Sequence, residues 1–572
     1  MVYKSKRVST DVCRILILTS IVVPLLGDKI LLVPFPWPSH YKLLETIGEE
    51  LKKRNHDVVM VIPSTETYRN NSHLKTVDYK VPKIGNNTFV RIAEKRLETA
   101  AGFGVNWLVE YVTLLEKIGR ALMEENAVMK IAQEADIIIS DTAFLVAPIF
   151  ADYHKLPLVF VSPFGHLPGC MADTFGNIEN PALVPTFVAT ALFEGIGLPQ
   201  RMNFLQRSFN FMSNIISKIL RDLITLPILR PLTKRYSSKT LLQLWSEVPL
   251  VLIPMDYSLE YPRPDLPHVK MIGPLSPKEN SSPLPDPFRN IVKEAQNGII
   301  IVSFGITNNL HSRDTLRILE SLMALKYSIV WKYNTTKVEN MIHEYGSKKH
   351  RIQKNKAFCE NGLQECRSCN NDSQRSNRNM NCSITCTLTP CKSPSFLKVG
   401  DNVYIYDWIP QQHLLQHKKT KLFVTHCGLN SLYEALYHNT QVLCVPLFGE
   451  QFDSAGRVVS RNIGKAMRLK DLNTETLQDA VYDLTHNRVY IENVKKIALR
   501  LRRSKVSPAE KAAYWIEYVL AENGDMGFLK PPDIPYYQFL LLDIILFWGM
   551  AIVLSAWLLF KIQHARYKKP LM

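Results

Sequence analysis

Short, wholly apolar runs alternate with longer amphipathic stretches along most of this chain, and that alternation leaves few folds open. Residues 29–35 (KILLVPF), 57–63 (DVVMVIP), 135–141 (ADIIISD) and 156–164 (LPLVFVSPF) form a first series. Residues 298–305 (GIIIVSFG), 327–333 (YSIVWKY), 403–408 (VYIYDW), 420–428 (TKLFVTHCG) and 440–449 (TQVLCVPLFG) form a second. A strand buried on both faces reads as a continuous apolar run, and parallel strands need a helical crossover. Helical patterns such as Tyr41 to Arg54 and Trp107 to Gln133 supply the crossovers. The expectation is α/β, with two doubly wound Rossmann-like domains facing a ligand cleft. The Pro- and Ser-rich stretch from Ser276 to Phe288 separates the series. It sets an N-terminal domain over 28–275, a linker over 276–290 and a C-terminal domain over 291–525.

A chain of 572 residues exceeds one domain, and 46% hydrophobic with 21% charged residues is ordinary for buried cores. The formal net charge is +17. Apart from short clusters near both ends and in 351–378, the basic residues are dispersed. No basic stripe interleaved with aromatics is present, which argues against nucleic acid.

The ends carry targeting signals. Lys4, Lys6, Arg7 and Arg14 precede an apolar run from Ile15 to Leu26 that stops at Gly27, the pattern of a signal peptide over 1–27. Residues 537–560 are almost wholly apolar, Asp543 being the charge among them, and are long enough to span a bilayer. The tail 561–572 holds Lys561, Arg566, Lys568 and Lys569. The positive-inside rule places it in the cytosol. A type I single-pass protein follows, its body in the lumen of the endoplasmic reticulum. Sequons at Asn70, Asn86, Asn280, Asn334, Asn371 and Asn381 fit that compartment.

Residues 338–400 read as an insert, polar and without clear periodicity, holding Cys359, Cys366, Cys369, Cys382, Cys386 and Cys391. An oxidising compartment favours disulfides over zinc here, and a disordered insert stays open. The stretch from Phe204 to Tyr236 is amphipathic and basic. It rests on a membrane, lines a pocket or forms a core helix pair.

The most specific segment runs from Trp408 to Gln451. A strand ends at His426, a Cys-Gly turn through Gly428 follows, and a helix starts near Asn430 and Ser431. Helix N-termini bind phosphate through free N–H groups and the dipole. Glu434 is suited to ribose hydroxyls and Trp408 to stacking on a base. Glu450 and Gln451 follow the next strand, at the carboxyl edge of the sheet.

This ordered set resembles the donor motif of the UDP-glycosyltransferases. The resemblance implies a GT-B fold with the UDP-sugar in the C-terminal domain. Trp408 and Gln411 would hold uracil. His426, Gly428, Asn430, Ser431 and Ser303 would meet the diphosphate, Glu434 the ribose, and Glu450 and Gln451 the sugar. The family usually has Asp at Glu450, Gly and Pro at Asn439 and Gln441, and often a small hydroxyl residue at Ile306. His40 and Asp141 match its catalytic histidine and aspartate, a base with an orienting carboxylate. The implied reaction is inverting transfer of a hexosyl or glucuronosyl group to a small lipophilic acceptor. No metal or other cofactor is expected. A weak UDP-sugar-binding partner subunit is the alternative, and homo- or hetero-oligomers are left open.

Overall fold

A computed structural model describes residues 27–65, 72–81, 105–165, 174, 180–185, 197–276, 282–305, 310–345, 352–355, 396–447, 449–530, 535–539 and 541–567. The signal-peptide segment before Gly27, Ile306 and all six cysteines of the insert lie outside these residues.

The first sheet has seven parallel strands in the order β3-β2-β1-β4-β5-β6-β7. They are β1 (Lys29–Val33), β2 (Asp57–Pro63), β3 (Lys75–Tyr79), β4 (Ile137–Asp141), β5 (Leu158–Val161), β6 (Leu250–Ile253) and β7 (Val269–Met271). The reversal of order at β1 and β4 is the switch point where such sheets open a crevice at their carboxyl ends. Helices α1 (Pro38–Lys53), α2 (Val105–Glu124), α3 (Asn126–Gln133), α4 (Ala147–His154), α5 (Phe204–Leu220), α6 (Leu226–Tyr236) and α7 (Leu241–Ser246) make the crossovers and their covering layer. A five-residue π turn, Arg221–Thr225, joins α5 to α6.

The second sheet has the order β10-β11-β12-β9-β8-β13-β14-β15. It comprises β8 (Ile299–Ser303), β9 (Ser328–Lys332), β10 (Ile352–Asn355), β11 (Phe396–Val399), β12 (Val403–Tyr406), β13 (Thr420–Thr425), β14 (Gln441–Cys444) and β15 (Gly464–Ala466). Its centre is parallel, while β10 pairs antiparallel with β11, and β11 with β12. Helices α8 (Phe288–Glu294), α9 (Ser312–Met323), α10 (Thr335–Tyr345), α11 (Gln411–Gln416), α12 (Leu429–Tyr437), α13 (Gln451–Ser460), α14 (Thr474–His486) and α15 (Arg488–Leu501) follow. Helix α16 (Pro508–Ala521) then packs on α1 beside the first sheet. Arg54 Nη1 donates to Glu517 there at 2.8 Å.

The apolar runs map onto strands buried along most or all of their length: Ile137–Asp141 and Ile299–Ser303 contain no exposed residue. The remaining strands are short or alternating. Phe396–Val399 buries alternate residues as an antiparallel strand with one covered face does. The ends of the 338–400 stretch therefore belong to the sheet and α10, while 356–395 lies outside the described residues.

Residues beyond Gly527 form a separate unit. It contains α17 (Tyr536–Phe539) and α18 (Leu542–Tyr567). Leu541 takes a left-handed φ of 55°, which interrupts the helix, so the apolar span starts at Leu542 rather than Tyr537. Residues Leu542–His564 are long and apolar enough to cross a membrane.

Candidate active site

The sequence between β1 and α1 sets the first half of the site. Pro38 begins α1 and forces Trp37 into an extended conformation, so the helix opens directly beneath the end of β1. His40 consequently sits in the first helical turn and is buried at 5% exposure. Asp141 ends β4, the neighbour of β1, and is fully buried. Its Oδ2 accepts from Phe35 N at 2.7 Å and its Oδ1 from Ala143 N at 3.0 Å. These bonds fix the carboxylate. Its Oδ1 lies 3.1 Å from His40 Nδ1, although the ring N–H is not aligned on the oxygen. Catalytic hydrogen bonds are often so before substrate arrives. The Phe35 and Phe164 rings flank the imidazole at 5.1 and 5.5 Å. Nearby, burial and then the Asp141 charge push the Tyr111 phenol well above its ordinary range.

The carboxyl ends of β8, β9, β12 and β13 carry the second half of the site. His426 follows β13, and Gly428 caps α12. A Cβ on Gly428 would stand 2.7 Å from the His426 ring, and one on Gly305 would stand 2.8 Å from it. The two glycines thus make the slot that the imidazole fills. Burial, with a contribution from Lys332, lowers its pKa to about 4, so the ring is neutral at pH 7. Cys427, at φ 67°, is joined by a disulfide to Cys444 at the end of β14. Ser303 Oγ is buried with no hydrogen-bond partner among the described residues. Asn430 and Ser431 lie half-buried in the first turn of α12.

Glu434 is the hub of this half. Its carboxylate accepts from Ser276 Oγ at 2.5 Å, Gln411 Nε2 at 2.6 Å and Gln412 Nε2 at 3.1 Å. Gln411 Nε2 also reaches Ser431 Oγ at 3.2 Å. Burial raises the Glu434 pKa, opposed by those three bonds and by Lys332.

Sequence reasoning missed Lys332. It ends β9 at 9% exposure, and its Nζ stands 4.0 Å over the ring of Trp408, which is itself 67% exposed. Burial brings the Lys332 pKa down to about 8, Glu434 opposing. A cation ending a central parallel strand, at the edge where ligands bind, was the available signal.

Glu450 and Gln451 start α13, and this helix faces the first half. Glu450 is half-buried, and burial pushes its carboxyl up to about 7, partly offset by the charge of His40. Gln451 Oε1 accepts from Leu447 N at 2.9 Å. Arg457 Nε and Arg263 Nη2 both donate to Glu260 Oε1 at 3.0 Å, tying α13 to the segment after β6. Tyr261 donates to Ser460 Oγ at 3.0 Å. Gly456 meets Gly197, where a Cβ would approach the Gly197 backbone to 2.9 Å.

The sequence pattern of the family described as UDP-glucoronosyl and UDP-glucosyl transferase matches residues 28–345 and 388–572. The chain belongs to the UDP-glycosyltransferase family. Five of the six insert cysteines fall in the stretch that this pattern leaves unmatched, Cys391 being the sixth. UDP-glucuronosyltransferase 1A6 of Mus musculus is 25% identical over 552 residues, covering 93% of this chain and 90% of that protein. A 2-hydroxyacylsphingosine 1-beta-galactosyltransferase of Mus musculus is 24% identical, covering 95% and 89%. Among solved structures, spinosyn forosaminyltransferase matches with a TM-score of 0.51 at 12% identity, covering 86% of this chain and 100% of that one. The glycosyltransferase VinC in complex with dTDP also has a TM-score of 0.51, at 15% identity, covering 87% and 100%. These likenesses establish the GT-B fold. Within the family's donor segment, Asn439 stands in a left-handed turn at φ 60°. Asn tolerates this conformation where most residues do not.

Proposed function

We propose that this UDP-glycosyltransferase moves a hexosyl or glucuronosyl group from a UDP-sugar to a hydroxyl of a small lipophilic acceptor, inverting the anomeric carbon. The observation that carries the reading is the meeting of two half-sites. A buried His40–Asp141 pair belongs to one domain, the donor cluster to the other, and Glu450 lies within electrostatic reach of His40.

Asp141 faces Nδ1, which leaves Nε2 of His40 for the acceptor. An alcohol is a poor nucleophile until a base removes its proton, and a fixed carboxylate on the far nitrogen stabilises the imidazolium that forms. The acceptor oxygen bonds to the anomeric carbon as the bond to the UDP oxygen breaks. The departing electron pair settles on the β-phosphate. His426, the α12 N-terminus and Lys332 supply a neutral donor, a dipole and a cation there. Trp408 and Gln411 hold uracil, Glu434 the ribose and Gln451 with Glu450 the sugar. Asn430, Ser431, Gly428 and Ser303 complete the diphosphate cradle. Ser303 Oγ, buried and unpartnered among the described residues, gains an acceptor when phosphate arrives. One displacement at carbon inverts its configuration.

In membranes the body is lumenal and the anchor is α18, consistent with the sequence at both ends and with the apolar helix. The test is product analysis. Membranes expressing the chain are incubated with α-linked UDP-glucuronic acid, UDP-glucose, UDP-galactose and UDP-N-acetylglucosamine plus phenol and steroid acceptors. A β-linked product with one or more donors is expected. An α-linked product would overturn the single-displacement reading.

A further inference from the structure

Helix α5 is built inside out. Its buried residues are Asn210, Ser213, Asn214 and Ser217, spaced i, i+3, i+4, i+7 on one face. The opposite face exposes Phe204 (71%), Leu205 (75%), Phe211 (52%), Met212 (50%), Ile216 (39%) and Ile219 (48%). The π turn extends it with Leu223, 70% exposed. A surface helix bathed in water has the reverse polarity.

This setting is not a loose rotation of the helix. Asn203 and Gln206 form a capping box at its start. Asn210 Nδ2 donates to the carbonyls of Pro181 and Val184, both at 2.7 Å. At the far end Arg221 Nη1 donates to Thr174 Oγ1 at 3.0 Å. The polar face is pinned inward, and the apolar face is held outward along about 28 Å of helix. The charge on that face, Asp222, is paired with Arg221 at 2.8 Å. Arg207 and Lys218 stand along one margin of it.

We propose that this face, from Phe204 to Leu223, lies in the interface of the bilayer that anchors the chain. The occupant is lipid rather than a second copy because the chain brings its own membrane. Leu542–His564 is the candidate span among the described residues, and the connector from Met526 reaches at most about 50 Å. The bilayer is therefore always present at high effective concentration. The helix cannot itself span, since its other face is polar and buried. An apolar face with basic residues at its margin lies along the plane of the interface, Arg207 and Lys218 extending to anionic headgroups. This inference stands on the fold alone and does not depend on the proposed reaction.

The experiment uses the full chain in nanodiscs of phosphatidylcholine with phosphatidylserine, doped with a lipid that carries a photoactivatable group in its acyl chain. Peptides that acquire lipid on illumination are mapped by mass spectrometry. Peptides within 204–223 should be labelled along with the α18 peptides. In a variant combining Leu205→Glu, Met212→Glu, Ile216→Glu and Leu223→Glu, the first label should fall to background while the second persists. Labelled α18 peptides with a wild-type 204–223 segment at background would overturn the proposal. So would cross-links joining 204–223 of two copies in place of lipid. The wild-type pattern decides the matter even if the variant folds poorly.

Discussion

Gly428 shows how narrowly the donor half is built. Its Cβ position lies 2.7 Å from the His426 ring, so Gly428→Ala must displace the imidazole from its slot. We expect UDP to bind about tenfold or more weakly, read by calorimetry, with little change in melting temperature. Glu450 gives a pH signature. The folded carboxyl keeps its proton up to about 7 through burial, against an ordinary value of 4.5. Between those values the folded state binds more protons than the unfolded chain, so this group lowers stability as pH rises through about 7. Glu450→Gln removes that loss. Its stability relative to wild type should be greater at pH 8 than at pH 5, by about 1–2 kcal/mol after allowance for screening, in paired denaturant titrations. The sequence marked the candidate residues of one contiguous motif, from Trp408 through Glu434 to Gln451, and by their place after apolar runs also His40, Asp141 and Ser303. Lys332 was not marked, because its neighbours Trp408, Glu434 and His426 are distant in sequence and only the strand order β12-β9-β8-β13 brings them together.

At the scale of elements, α13 carries Glu450 and Gln451, the residues proposed to hold the sugar, at its start and the contacts to the other half along its length. Gly456→Ala separates these roles. Alanine improves the helix by about 1 kcal/mol, yet its Cβ would press on the Gly197 backbone at 2.9 Å. The helix must then move away from the half that holds His40. The expected result is kcat for transfer reduced about tenfold or more with UDP affinity unchanged; equal losses in both would contradict this account. The strands with continuous apolar runs could be read directly, since burial on both faces confines polar residues to their ends, as with Asp141 and Ser303. Lys75–Tyr79, half-exposed at an edge, and the three-residue Val269–Met271 carry too little pattern to be seen. The single amphipathic stretch from Trp107 to Gln133 proved to be two helices, meeting at Glu125, whose extended φ and ψ of −84° and 111° break the ladder.

For the whole molecule, two Rossmann-like domains close on one another through Glu260, Arg457 and Tyr261, and the chain returns to the first domain through α16 before leaving for its apolar helix. Only the strand series and the linker announced this arrangement, because contacts between domains arise from residues with no local periodicity. The proposed lumenal topology predicts that an endoglycosidase acts on the chain in microsomes only after the membrane is opened, and that the chain resists extraction by alkaline carbonate. Both are read by gel mobility and fractionation. The central claim joins the two domains: a base from one acts on a sugar held by the other. The direct measurement is acceptor-dependent UDP release by the full chain in membranes, wild type against His40→Ala, alongside UDP binding to each. The account predicts that His40→Ala lowers release at least about a hundredfold while UDP binds as before. Wild-type rates in His40→Ala would contradict it.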